Sequence, residues 1–102
     1  MSRLHGEYKT PGGKLVVVDL AVVDGVLRDV MISGDFFLYP DDAFAGMTAA
    51  LEGLAADLTE SEMAEKVRHS LPRGTELLGT SPEGIATAVR RALATDAEDG
   101  RE

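Results

Sequence analysis

Alternating apolar residues near the start of the chain predict a strand over residues 14–23. The opposite face of this strand is interrupted by Asp19, so we expect that face to be the more solvated one. A second Val-rich segment, residues 26–33, has the same character, and Asp24-Gly25 between the two segments predicts a hairpin. The face expected to be buried carries aliphatic side chains, namely Val16, Val18, Leu20 and Val22.

The hairpin loop can contain two residues or three. A loop of Asp24 and Gly25 alone pairs Val23 with Val26, whereas a loop that also includes Val23 pairs Val22 with Val26. The three-residue loop keeps the apolar residues of both strands on one face. We therefore expect the three-residue loop, because a slip of one residue would turn the core side chains of one strand outward.

Residues 3–10 are expected to add a third strand, which a Pro-Gly-Gly turn over residues 11–13 connects to residues 14–23. The rest of the chain reads as three helices. The first begins at residues 40–42, the second at a Thr59–Glu62 capping box, and the third at Ser81-Pro82. Their apolar stripes are Phe44, Met47 and Leu51, then Met63, Val67 and Leu71, then Ile85, Val89 and Leu93. The pattern predicts an α+β fold with a three-stranded antiparallel sheet.

The composition is that of a globular protein, since 44% of the 102 residues are hydrophobic and 27% are charged. We expect one domain over residues 1–94 and a disordered acidic tail over residues 95–102. The net charge of −8 argues against nucleic acid as a partner. Neither a membrane-spanning segment nor a secretory signal is evident, and the chain has no cysteine, so we expect it in the cytoplasm.

A self-sufficient active site is not evident in the sequence. His5 and His69 are far apart, without a carboxylate spacing typical of a zinc site, and a structural role is expected for both. Asp41 and Asp42 are adjacent, which is poor geometry for two carboxyl groups to share a proton, and we expect them to cap a helix.

Two segments remain unusual. Gly12-Gly13-Lys14 precedes a strand and lacks the pattern of a phosphate-binding loop, so it is either a turn with a solvated lysine or a loop that brings a lysine to an anion. Residues 34–37, Gly-Asp-Phe-Phe, place two phenylalanines side by side on an extended chain. Such neighbours point to opposite faces, so either both are covered by helices or one faces a partner.

In this order, the segments resemble the C-terminal accessory domain of lipoate–protein ligases. The resemblance is carried by Thr10–Val16 (TPGGKLV), the Val-rich strand, the Asp24-Gly25 turn and Gly34–Phe37 (GDFF). It covers about residues 6–93 and is strongest between Thr10 and Gly53. The resemblance implies an antiparallel sheet with about three helices on one side, a fold similar to that of sulfur-transfer and iron–sulfur scaffold proteins.

The resemblance also implies an accessory component that is not an enzyme by itself. In that family a large catalytic subunit binds lipoate and ATP with Mg²⁺, forms lipoyl-AMP, and passes the lipoyl group to an acceptor domain. The small domain supports adenylation, contacts acceptor domains at most indirectly, and is a separate polypeptide in some organisms. A chain of this length that begins with its own Met fits that separate arrangement.

Carried onto this sequence, the resemblance places Gly12, Gly13 and Lys14 beside the ligand. It places Gly34, Asp35, Phe36 and Phe37 at the interface with the catalytic subunit. Two other hypotheses remain: a protein-interaction adapter with the same fold but no role in lipoylation, and a small independent enzyme. The second would require converging acid, base or metal-binding side chains, and the sequence offers no such set.

Overall fold

The computed structural model describes residues 3–100, with the side chains of residues 95–100 outside the described part. In chain order the described elements are β1 (Leu4–Lys9), β2 (Leu15–Val23), β3 (Val26–Gly34), β4 (Phe37–Tyr39), α1 (Asp42–Leu51), α2 (Glu60–Ser70), β5 (Glu76–Leu78) and α3 (Pro82–Gly100). Strands β1, β2 and β3 form an antiparallel sheet in that order, and β4 pairs with β5 in a separate antiparallel ribbon. The α+β fold with a three-stranded sheet and three helices confirms the predicted class, although the ribbon was not predicted.

The register of the β2–β3 hairpin shows that the predicted three-residue loop is wrong. Val23 pairs with Val26, so Asp24 and Gly25 alone form the loop. Both loop residues have positive φ angles, 54° for Asp24 and 79° for Gly25. A type I′ turn requires this conformation, and its twist matches that of the two strands. At this end of the hairpin, the register is therefore set by the turn preference of Asp24-Gly25. The requirement that the apolar residues of both strands lie on one face does not decide it.

A bulge in β3 restores the facing of the apolar side chains. Ala21 pairs with Arg28 and Asp19 pairs with Met31, so β3 contains one more residue than β2 in this interval. Asp29 lies in the bulge with a φ of 53°. The apolar residues of β3 reach the core in spite of their uneven spacing: Leu27, Val30 and Ile32 are all buried.

The helix starts largely follow the predicted caps. Thr59 Oγ1 accepts a hydrogen bond from the Glu62 backbone N at 3.1 Å, and the Glu62 carboxylate accepts one from the Thr59 backbone N at 2.9 Å, which confirms the capping box of α2. Ser81 Oγ accepts a hydrogen bond from the Gly84 backbone N at 3.1 Å at the start of α3. Asp41 occupies the N-cap position of α1, but its side chain makes no capping hydrogen bond.

Most of the core residues that the helices contribute come from the predicted apolar stripes. The fully buried residues of these stripes are Met47, Leu51, Met63, Val67, Ile85 and Val89. The backbone of α3 continues to Gly100, beyond the predicted domain boundary at residue 94. Because the side chains of residues 95–100 and all of residues 101–102 lie outside the described part, the acidic tail stays a prediction. None of the helices in the described range is long and apolar enough to cross a membrane.

Helix α3 lies directly against β1 at Gly6. A Cβ atom at Gly6 would collide with the Ala88 carbonyl oxygen and the Ala92 backbone N, and would lie 2.9 Å from Ala92 Cα. Ala88 and Ala92 are themselves fully buried. A glycine on the strand and small side chains on the helix therefore set the distance between α3 and the sheet.

We predict that Gly6→Ala lowers the free energy of unfolding by about 2 kcal/mol, because the added methyl group meets backbone atoms that cannot rotate away. Urea unfolding followed by circular dichroism measures this effect. The matched control is Gly46→Ala in α1, where the nearest atom to the new Cβ is Ser70 O at 3.8 Å. That change should be neutral or stabilising, since alanine is the better helix former. Equal stability of Gly6→Ala and the unmodified chain would contradict the close contact.

His5 lies between two carboxylates on the face of the sheet opposite the core. Its Nδ1 is 2.7 Å from Asp19 Oδ1, and its Nε2 is 2.7 Å from Glu7 Oε2. The hydrogen bonds to Glu7 and then to Asp19 raise the pKa of His5 above its usual 6.5. The protonated imidazole thus joins β1 to β2 by donating to both carboxylates.

We predict a pH-dependent contribution of His5 to stability. Because its folded pKa is raised, the contribution is fully present below the unfolded pKa and is lost as the pH rises through the folded pKa. The difference in urea midpoint between the unmodified chain and His5→Gln should therefore be larger at about pH 5.5 than at about pH 8.5. A difference that is the same at both pH values would rule this out.

Candidate functional site

Three segments that are distant in sequence meet at one end of the sheet, in what we call the loop junction: residues 10–14, 34–37 and 79–81. The Lys14 backbone N donates to the Gly79 carbonyl oxygen at 2.7 Å, which joins the first segment to the third. The Asp35 backbone N donates to the Leu15 carbonyl oxygen at 3.1 Å, which joins the second segment to the start of β2. The structure thus brings both predicted segments together and adds a third that was not predicted.

Gly79 is the residue that holds the predicted segments against each other. Its φ is 93°, and a Cβ atom there would lie 2.7 Å from Lys14 Cγ and 3.4 Å from Phe36 Cα. A Cβ atom on Gly13 would in turn collide with the Gly79 carbonyl oxygen. The sequence signal for this third segment is the Gly-Thr-Ser run ahead of α3, in which Ser81 predicts a helix cap.

Hydrogen bonds within the junction fix the turn that carries Lys14. The Gly13 backbone N donates to the Thr10 carbonyl oxygen at 2.7 Å, and the Thr10 backbone N donates to the Lys14 carbonyl oxygen at 3.1 Å. The hydroxyl groups of Thr10 and Thr80 are 2.9 Å apart, which ties the same turn to the start of α3. The backbone around Lys14 is therefore held from both sides.

The Lys14 side chain is exposed. In the part of the chain that the structure describes, no carboxylate forms an ion pair with its ammonium group. The second lysine of the junction region, Lys9, points its Nζ at the Gly13 carbonyl oxygen at 3.4 Å. A held backbone with an uncompensated cation can offer positive charge to an external anion.

The two adjacent phenylalanines take opposite directions, as predicted for an extended chain. Phe36 is partly buried against the core, and its ring stacks on Phe44 with a centroid distance of 6.2 Å. Phe37 is 51% exposed and stacks on Tyr39 with a centroid distance of 6.5 Å. Leu38, which lies between Phe37 and Tyr39 in the chain, is buried.

Other polar groups are engaged in structural contacts. His69 lies 3.4 Å from Glu65 on the exposed side of α2, and Arg68 forms ion pairs with Glu65 and Glu83. Among the residues that the structure describes, no cluster of histidine and carboxylate side chains could hold a metal ion. Within the loop junction, the exposed ammonium group of Lys14 is suited to binding an anion and compensating its charge.

An open cavity of about 630 Å³ lies at the opposite end of the sheet, beside the hairpin turn at Asp24. Arg90 forms part of its wall and donates from Nη1 to the carbonyl oxygens of Ala56 at 2.9 Å and Leu58 at 3.2 Å. These bonds attach the segment between α1 and α2 to α3. The Arg90 contacts therefore hold one part of the cavity wall in place.

Comparison with known proteins links the chain to lipoylation. No protein-family model matches the sequence, and no curated protein matches it. A solved chain from an archaeal lipoylation system, described as a bi-partite lipoate protein ligase and its E2 lipoyl domain from Thermoplasma acidophilum, is 26% identical. The superposition has a TM-score of 0.66 and covers 88% of this chain and 94% of that one. The chain therefore shares its fold and part of its sequence with a component of a lipoylation system.

We predict that Gly79→Ala destabilises the chain by about 1–3 kcal/mol more than Gly74→Ala. Both glycines have positive φ angles, 93° and 86°, so both variants bear the same backbone strain. Only at Gly79 does the new methyl group meet Lys14, since nothing lies within 4 Å at Gly74. Urea unfolding compares the two, and the backbone amide NMR signal of Lys14 should shift only in Gly79→Ala. Equal destabilisation would show that Gly79 is not a close contact.

Proposed function

We propose that the chain is the accessory subunit of a lipoate–protein ligase and supports ATP-dependent lipoate adenylation by a separate catalytic subunit. The observation that carries the proposal is the match, over nearly the whole of both chains, to a component of an archaeal lipoylation system. The choice of component rests on Gly12-Gly13-Lys14 and Gly34–Phe37, which resemble the accessory domain and meet in one loop junction.

In this proposal Lys14 acts on the adenylate from outside the catalytic subunit. Its ammonium group approaches the carboxylate or the phosphate of lipoyl-AMP and adds positive charge where negative charge builds up during adenylation. The exposure of Lys14 and the absence of an ion pair among the described residues support this role. Because the backbone of the turn is fixed, only the Lys14 side chain has to be ordered when the charge is placed.

We assign the remaining parts of the reaction to the partner. The catalytic subunit binds lipoate, ATP and Mg²⁺ and carries the groups that form the acyl–phosphate bond. This chain contributes one wall of the site and is not catalytic by itself. Residues 34–37 face the catalytic subunit, with Phe37 rather than Phe36 as the exposed member of the pair. A cytoplasmic location, expected from the sequence, belongs to the same proposal.

An adapter with the same fold but no role in lipoylation is the alternative that the exposed Phe37 would also permit. Lipoate adenylation by the cognate catalytic subunit separates the two, measured as acyl-AMP with increasing amounts of this chain. The accessory subunit should raise the rate to a plateau, whereas an adapter should bind without raising it. Mass spectrometry of the same mixture tests a third role, because lipoylation of a lysine of this chain would identify it as an acceptor.

We predict that Lys14→Ala lowers the plateau rate of adenylation by roughly 10- to 100-fold, because one positive group is lost beside the developing charge. Lys14→Arg should recover part of the rate, since it keeps the charge. Lys66→Ala is the matched control, because Lys66 is exposed on α2 and lies outside the loop junction. Full activity of Lys14→Ala at saturation would remove Lys14 from the mechanism.

A further inference from the structure

The outward face of the β4–β5 ribbon carries three large exposed apolar side chains, which we call the ribbon patch: Phe37, Tyr39 and Leu78. They are 51%, 58% and 56% exposed, respectively. Phe37 pairs with Leu78 across the ribbon, and the rings of Phe37 and Tyr39 are stacked with an interplanar angle of 9°. The patch therefore combines residues of two strands that are distant in sequence.

The ribbon cannot turn this patch inward, because its other face is already packed. Leu38 is buried, and Leu77, its cross-strand partner, packs against the hydrophobic core. Side chains alternate between the two faces of a strand, so their neighbours on either side must point outward. The patch is thus a fixed surface, and large exposed aromatic side chains in a fixed arrangement are typical of protein interfaces.

The ribbon patch is continuous with the turn that carries Lys14. Leu78 is followed directly by Gly79, whose carbonyl oxygen accepts the hydrogen bond from the Lys14 backbone N at 2.7 Å. A Cβ atom on Gly79 would lie 3.1 Å from Lys14 Cβ, so the two residues are in contact. A protein seated on the patch therefore comes within one residue of the position that contacts Lys14.

We infer that the ribbon patch is the surface that docks on the catalytic subunit and that docking places Lys14 at the adenylate. The inference rests on the proposed function and names Tyr39 and Leu78 as interface residues in addition to Phe37. It also excludes Phe36 as the anchor, because its ring packs against Phe44. Coupling between the patch and Lys14 passes through the backbone of Gly79.

Charge indicates the kind of surface that fits the patch. Asp35 and Glu76 are exposed next to it, and neither has an ion pair among the residues that the structure describes. The matching surface is an apolar hollow with a basic rim. A second copy of the chain is a poor occupant, because each copy carries a net charge of −8 and brings the same two acids to the rim.

The test is a titration of the chain into the catalytic subunit with acyl-AMP formation as the readout. Phe37→Ala and Tyr39→Ala should each raise the concentration for half-maximal stimulation about tenfold or more. Met31→Ala is the matched control, since Met31 is 64% exposed on the open face of the three-stranded sheet, and it should behave like the unmodified chain. Circular dichroism establishes that each variant is folded.

A second variant tests the rim. Glu76→Lys should also raise the half-maximal concentration. Added salt should weaken the binding of this variant less than it weakens the binding of the unmodified chain, or should strengthen it. Isothermal titration calorimetry measures binding apart from activity. If the unmodified chain binds and stimulates but Phe37→Ala and Tyr39→Ala bind equally well, the inference is overturned and the proposed function stands.

Other outcomes separate the two claims further. Binding of the unmodified chain without stimulation would overturn the proposed function, and calorimetry on the variants would still decide whether the patch is the docking surface. Neither binding nor stimulation would overturn both. Analytical ultracentrifugation tests whether a second copy of this chain occupies the ribbon patch. A dimer that dissociates in Tyr39→Ala would show that the patch serves self-association, and would overturn the inference.

Discussion

The contact between α3 and β1 at Gly6 is the constraint on which the rest of the structure depends. It lets the backbone of the helix approach the sheet with only alanines between them, and so determines how α3 lies across β1. The first turn of the same helix reaches the loop junction, where Thr80 meets Thr10. One close approach in the core thus sets both the packing of α3 and the position of the segment that holds Lys14.

Much of the fold could be predicted because its signals are local. The stripes of the helices and the caps at Thr59 and Ser81 depend on residues within a few positions of each other. The bulge in β3, which reconciles the two-residue loop with the burial of the apolar side chains, could not be predicted because it is supported by remote groups. Glu52 accepts a hydrogen bond from the Val30 backbone N at 2.7 Å, and Arg3 donates to the Asp29 carbonyl oxygen at 2.8 Å. No pattern within the hairpin records these bonds.

In the candidate site, too, the segments with a local sequence signal could be predicted, whereas the segment that depends on a remote partner could not. Its first two segments were found because Gly-Gly-Lys and Gly-Asp-Phe-Phe are unusual within themselves. The third segment, residues 79–81, directly follows β5 and was missed because that strand was not predicted. Strand β5 is three residues long, and its partner β4 precedes it by two helices. Such a short strand has no periodicity to detect and forms only through pairing with its partner. The sequence therefore indicated that either Phe36 or Phe37 could face a partner, but gave no reason to associate one of them with Leu78.

The packing of Gly13 against Gly79 has a consequence for related chains. The missing Cβ at Gly13 leaves room for the Gly79 carbonyl oxygen, and the missing Cβ at Gly79 leaves room for Lys14, so a side chain acquired at either position would force the backbone of the loop junction to shift. Related chains should therefore keep or lose Gly13 and Gly79 together, even where the helices and loops between them diverge. A glycine pair with this separation, of which the first precedes a lysine and the second a hydroxyl-capped helix, is then a search pattern for remote homologues.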